Sequence, residues 1–101
     1  MAQLSYSKRA LADLERLADF LVQAAPAAAS ATVGLITQAV SVLGHHPYIG
    51  CAVGEGLYEL VISRGHTGYV ALYAVQRMDD AILILSIRRQ REVGYASQEI
   101  A

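Results

Sequence analysis

The sequence predicts an α+β domain in which an N-terminal helical hairpin packs on a small antiparallel sheet, in the order β-α-α-β-β-β. Three observations predict it. Apolar residues recur at three- and four-residue spacing as far as Leu43, and from Leu57 onward they sit in runs rich in β-branched and aromatic residues. Pro26 breaks the first pattern with almost no intervening chain, as between two abutting helices. The later runs are joined by links short enough to demand antiparallel neighbours.

A chain of 101 residues forms one domain over 1–101. Its residues are 54% hydrophobic and 17% charged, against about 45–50% and about 25% in ordinary soluble domains. The excess apolar surface is therefore either buried or meant for a partner. Eight basic and nine acidic residues leave a net charge of −1. That balance argues against a strong nonspecific grip on nucleic acid and still permits a local basic patch. A lone cysteine, Cys51, makes no internal disulfide, so a reducing cytoplasm is expected. The first residues lack a uniform apolar segment ahead of Lys8 and Arg9, and no signal peptide is expected. No stretch of about eighteen unbroken apolar residues marks a membrane span.

Residues 2–6 alternate weakly and suit a short edge strand. Ser7 is a candidate N-cap for a helix running to about Ala25. Its apolar stripe is Leu11, Leu14, Leu17, Ala18, Leu21 and Val22, with Asp13 and the other charges mostly off it. The second helix begins at Pro26 and carries Ala29, Val33, Ile36, Val40 and Leu43 on one side. Gly44 reads as its C-cap, and His45-His46-Pro47 closes it. No Asp, Glu, Lys or Arg occurs from Phe20 to Gly54. Ser30, Thr32, Thr37, Gln38 and Ser41 are expected on the outer face, with Leu35, Ala39 and Val42 as a second apolar row. That row is available to a partner, unless the small polar residues simply solvate the face.

Residues 45–56 read as a connector punctuated by Gly50, Gly54 and Gly56. Three strands are expected, at 57–63, 69–75 and 81–87. Arg64-Gly65-His66-Thr67-Gly68 would link the first two, and Met78-Asp79-Asp80 would turn between the last two. The last run is apolar on both faces and is expected to be the central or most covered strand of the sheet. A polar end over about 96–101 is expected to be flexible.

The most specific chemical feature is Arg88-Arg89-Gln90-Arg91 with Tyr95 beyond it. Guanidinium forks bind phosphates and carboxylates bidentately. Strand alternation puts Arg89 and Arg91 on one face and Arg88 on the other. Tyr95 is placed to stack on a base or to donate a phenolic proton. Arg64 and His66, in the first hairpin, are possible neighbours across the sheet. The plain alternative is a strand ending in solvated arginines. The histidines lack zinc-ligand spacing, no phosphate loop or nucleophile elbow is present, and no cofactor or metal is expected.

The order of motifs resembles the RelE/ParE superfamily of bacterial type II toxins. The resemblance runs over some ninety residues. It rests on Tyr6-Ser7-Lys8-Arg9-Ala10-Leu11-Ala12-Asp13-Leu14, on His46-Pro47 and on Gly56-Leu57-Tyr58-Glu59-Leu60. Gly68-Tyr69-Val70-Ala71-Leu72-Tyr73 and Ile87-Arg88-Arg89-Gln90-Arg91-Glu92-Val93-Gly94-Tyr95 complete it. The resemblance implies a cytoplasmic toxin held in a hetero-oligomer by a cognate antitoxin, with no membrane role. The antitoxin would cover Leu35, Ala39 and Val42. The target would be DNA gyrase, as for ParE-like members, or ribosome-bound mRNA, as for RelE-like endonucleases; an inactive binding module of the same fold is a third reading. In the nuclease case Arg89, Arg91 and Tyr95 would be catalytic. Arg64, His66 and Arg88 are the residues expected to meet a target. The resemblance places Val70 where the nucleases carry an arginine, and Lys8 is the chain's only lysine, so the gyrase reading is preferred.

Overall fold

The computed structural model describes residues 2–64 and 67–90. β1 (Gln3–Tyr6) leads into α1 (Lys8–Ala24) and α2 (Pro26–Ser41), which a 3-10 turn extends over Val42–Gly44. β2 (Cys51–Gly54), β3 (Leu57–Arg64), β4 (Thr67–Gln76) and β5 (Ala81–Arg89) follow. They form one five-stranded sheet in the order β1-β5-β4-β3-β2. The helical hairpin on a mostly antiparallel sheet is the α+β architecture expected.

The sheet departs from expectation in three ways. β1 runs parallel to β5, with Gln3 opposite Ala81 and Tyr6 opposite Ile84. The helices intervene between the two strands, which is the long crossover a parallel pair requires. The expected connector contains β2, whose residues pair with β3 from Cys51 opposite Glu59 onward. The first hairpin is tighter than its composition suggested, because Arg64 and Thr67 are already a paired position. Of the two positions expected of β5, central or most covered, the centre belongs to β4. β5 is interior, between β1 and β4.

Ser7 caps α1: its backbone is extended, and its Oγ accepts the Ala10 N–H at 3.0 Å. The buried face of α1 is Ala10, Asp13, Leu17 and Leu21. Leu11 and Val22 lie off that face and are 51% and 58% exposed, contrary to the stripe assigned to them. Asp13, expected outside, is buried. The reason is phase: positions 10, 13, 17 and 21 keep one helical face, whereas Leu11 is a further 100° round. α2 repeats the lesson. It buries Ala29, Thr32, Ile36 and Val40, so Thr32 belongs to the inner face and not to the outer one. Gly44 is no left-handed cap. It closes the 3-10 turn, is buried, and its carbonyl accepts the Ala2 N–H at 2.8 Å.

Over Pro26–Gly44 the helix and its extension are long and apolar enough to cross a membrane by length and composition. Their inner face is nevertheless occupied. Ile36, Val40 and Leu43 share a core with Ile62, Tyr69, Ala71 and Tyr73 of the sheet and with Ile82, Ile84 and Ile87 of β5. Each aliphatic side chain so enclosed contributes about 1.5–3 kcal/mol. The apolarity of α2 is thus accounted for on one side by a core.

The chain after α2 is pinned to this core by Tyr73. Its hydroxyl donates to the Pro47 carbonyl at 2.8 Å and accepts the Gly50 N–H at 3.1 Å. Its ring stacks on Tyr58 at 5.6 Å, and Tyr58 meets the edge of Tyr48 at 5.5 Å. Burial raises the Tyr73 phenol above its ordinary value of 10.0.

Candidate functional site

The arginine strand is organised by a bulge. Tyr73 pairs with Ile84 and Leu72 with Ser86, so Leu85 is an extra residue on β5. Downstream of it Ile87 lies opposite Ala71 and is buried. Arg88 lies opposite Val70 and Arg89 opposite Tyr69. Successive residues of a strand face opposite ways. The two arginines therefore diverge, as alternation predicted.

Arg88 opens onto the sheet face away from the helices. There a concavity of about 540 Å³ has an apolar floor of Val70, Leu72 and Leu85. Arg9, from the first turn of α1, joins Arg88 on its lining, with Ser7, Ser86 and Glu59 completing it. Arg89 goes to the helical side, where its guanidinium sits 4.4 Å from the centroid of the Phe20 ring. That is cation–π distance, and it fixes Arg89 against the end of α1. Of the expected catalytic set, Arg91 and Tyr95 lie outside the described residues, as does His66. The Arg64 backbone ends β3.

The helical surface is apolar but uneven. Leu35 and Ala39 are half-buried and pack against the core, whereas Val42 is 41% exposed. Phe20, Tyr48, Ile49 and Val53 are further exposed large apolar side chains within or next to the charge-free stretch. Among the described residues no three His, Cys, Asp or Glu side chains converge on a possible metal position. Cys51 is a free, exposed thiol.

Sequence reasoning missed Arg9, Ser86 and Glu59 as residues that share a concavity with Arg88, because only the folded register brings them to one lining. It also missed Asp13. The Asp13 Oδ2 accepts the backbone N–H of Ile87 at 3.0 Å, and the Arg16 guanidinium donates to its Oδ1 at 3.1 Å. A signal existed: Asp13 falls three residues after Ala10 and four before Leu17, on the face those two bury.

Known proteins share this fold. Residues 4–94 match the family model of the ParE toxin of the type II toxin–antitoxin system parDE. A toxin of Caulobacter vibrioides, RelE3, is 34% identical over 92 residues, covering 91% of this chain and 98% of the relative. The solved chromosomal ParDE system from P. aeruginosa superposes with a TM-score of 0.72 at 27% identity, over 88% of this chain and 96% of that one. The isolated E. coli RelE toxin shares the fold, with a TM-score of 0.65 at 15% identity over the whole of both chains. The family match and the relative at 34% identity, with the fold they share, define a type II toxin of the RelE/ParE superfamily. The chain belongs to the ParE toxin family within it, and that membership implies an antitoxin as its partner.

Proposed function

We propose that this toxin arrests growth by binding a large protein target, DNA gyrase, through the open sheet face around Arg88. The observation that carries the reading is the chemistry of the concavity. Its described lining offers an apolar floor, two guanidiniums, two hydroxyls and one carboxylate. RNA cleavage needs a group that moves protons near neutral pH and cations that neutralise the phosphorane. Guanidiniums stay protonated and shuttle protons poorly, which leaves the Glu59 carboxylate to accept a proton and only Arg9 and Arg88 in the described lining to neutralise the phosphorane. Val70 lies on the floor, where the resemblance to the superfamily implies that a nuclease would carry an arginine. Apolar surface rimmed by arginine suits a protein interface instead. The toxin acts in the cytoplasm, where its antitoxin neutralises it by covering the exposed apolar side of the helical hairpin, including Val42.

The test is a supercoiling assay with purified toxin. Inhibition relieved by the antitoxin is expected. Unchanged supercoiling at saturating toxin removes gyrase as the target. The mRNA endonuclease reading, which draws on Arg89, Arg91, Tyr95 and the RelE3 relative, predicts a different signature. Radiolabelled amino acid incorporation would then stop before thymidine incorporation does, and an Arg89→Ala, Tyr95→Ala double substitution would abolish the arrest.

A further inference from the structure

Asp13 is a buried carboxylate, 3% exposed, that takes no part in the concavity or in the exposed apolar surface. We propose that Asp13 and Ser7 are positioning residues that hold the Leu85 bulge and so decide which arginine of β5 faces the open side of the sheet.

The argument starts from parity. Ile82 and Ile84 are buried on the core side, opposite Val75 and Tyr73. Unbroken alternation from there would send Ser86 and Arg88 into the core and turn Ile87 and Arg89 outward. One extra residue reverses the phase, because a single-residue shift exchanges the two faces of a strand. Ile87 then enters the core, Arg88 reaches the concavity and Arg89 reaches Phe20.

A bulge leaves backbone groups outside the ladder, and those groups need partners. β1 ends at Tyr6, opposite Ile84, just before the bulge. The start of α1 takes over from there. The Ser7 N–H donates to the Ile84 carbonyl at 2.9 Å, and the Ser7 hydroxyl donates to the Leu85 carbonyl at 3.1 Å. Asp13, two turns into α1, accepts the Ile87 N–H at 3.0 Å. Arg16 holds its other oxygen. The residues on both sides of the reversal are thus tied to one helix.

The functional half of this inference rests on the reading of Arg88 as a target contact, and the experiment separates the two. Amide exchange is followed by NMR on the full toxin bound to its antitoxin, and growth arrest is scored on induction alone. In Asp13→Ala, exchange at Ile87 should quicken at least tenfold, with amides between β3 and β4 changing less than twofold. Growth arrest should weaken at least tenfold. Asp13→Asn keeps an acceptor oxygen and should restore both within threefold. An Ile87 amide still protected in Asp13→Ala overturns the bulge-holding role, whatever happens to toxicity. Undiminished arrest by Asp13→Ala, where Arg88→Ala abolishes arrest, overturns the positioning of Arg88. Full arrest by Arg88→Ala instead removes the surface reading and leaves the exchange result to decide the rest. Where Asp13→Ala does not accumulate as folded protein, Ser7→Ala set against Ser7→Thr makes the same comparison through the Leu85 carbonyl, read at the Ile87 amide: exchange at least tenfold faster in Ser7→Ala and restored in Ser7→Thr is expected, and unchanged protection overturns the bulge-holding role.

Discussion

The Tyr73 hydroxyl lies between the Pro47 carbonyl, 2.8 Å away, and the Gly50 amide, 3.1 Å away. One phenol on the central strand thereby fixes the chain that leaves the helical layer and enters β2. Removing the oxygen in Tyr73→Phe leaves a donor and an acceptor without it. The expected loss is about 0.5–1.5 kcal/mol for each bond, because both groups are only partly buried and water can replace the phenol in part. For a domain of this size that lowers Tm by roughly 4–8 °C for each kcal/mol. Thermal unfolding of the purified variant beside wild type measures it, and an unchanged Tm contradicts the lock.

The same phenol gives a pH dependence. Burial raises Tyr73 above 10.0, and burial does the same to Tyr6. Above that value the unfolded chain loses protons that the folded chain keeps. The folded state then binds more protons, so stability falls as pH rises. In denaturant titrations the two tyrosines should contribute no slope just below about pH 9 and a decline in midpoint from about pH 10 upward. The decline should be shallower in Tyr73→Phe. An equal slope in both proteins would assign the effect elsewhere.

Two glycines should respond to alanine with opposite signs. A Cβ on Gly50 would stand 2.6 Å from the Glu59 carbonyl oxygen and 2.7 Å from the Tyr73 hydroxyl. Gly50→Ala should therefore destabilise by about 1–3 kcal/mol, as overpacking does. A Cβ on Gly34, inside α2, meets nothing within 4 Å. Gly34→Ala should stabilise by about 0.5–1 kcal/mol through helix propensity. Urea denaturation of the two variants is the check, and a shared sign would fail it.

Val42 tests the antitoxin surface. It is 41% exposed at the end of the helical layer, so a charge there should leave folding within about 0.5 kcal/mol of wild type. Buried in an antitoxin interface, the same charge would be expensive. Val42→Glu should remain toxic and need at least tenfold more antitoxin for rescue. Normal rescue in a co-expression titration would move the interface away from this residue.

Much of this fold was legible in the sequence because its signals are local. Ser7, Pro26 and the runs of apolar residues at 57–63, 69–75 and 81–87 each act on their immediate neighbours. The parallel pairing of β1 was not legible, since nothing at Gln3–Tyr6 names residue 81 as its partner. The bulge at Leu85 was hidden for a related reason. Its partners, Ser7 and Asp13, stand 78 and 74 residues from the groups they bind. The divergence of Arg88 and Arg89 needed only alternation, and so was foreseen. Which of them meets the open face needed the bulge.

The pairing of β1 with β5 also bears on how the toxin comes into being. Tyr6 finds its strand partner only when Ile84 exists, so the first strand made must wait for the fifth. Contacts between such distant parts of a chain slow folding, because a large loop must close before they bring any gain. A partly synthesised copy lacks the strand that carries Arg88 and Arg89 and the partner that β1 needs. The sheet thus closes only after the strand that carries Arg88 and Arg89 has been made, so the open face around Arg88 and the edge that β1 completes appear together, at the end of synthesis.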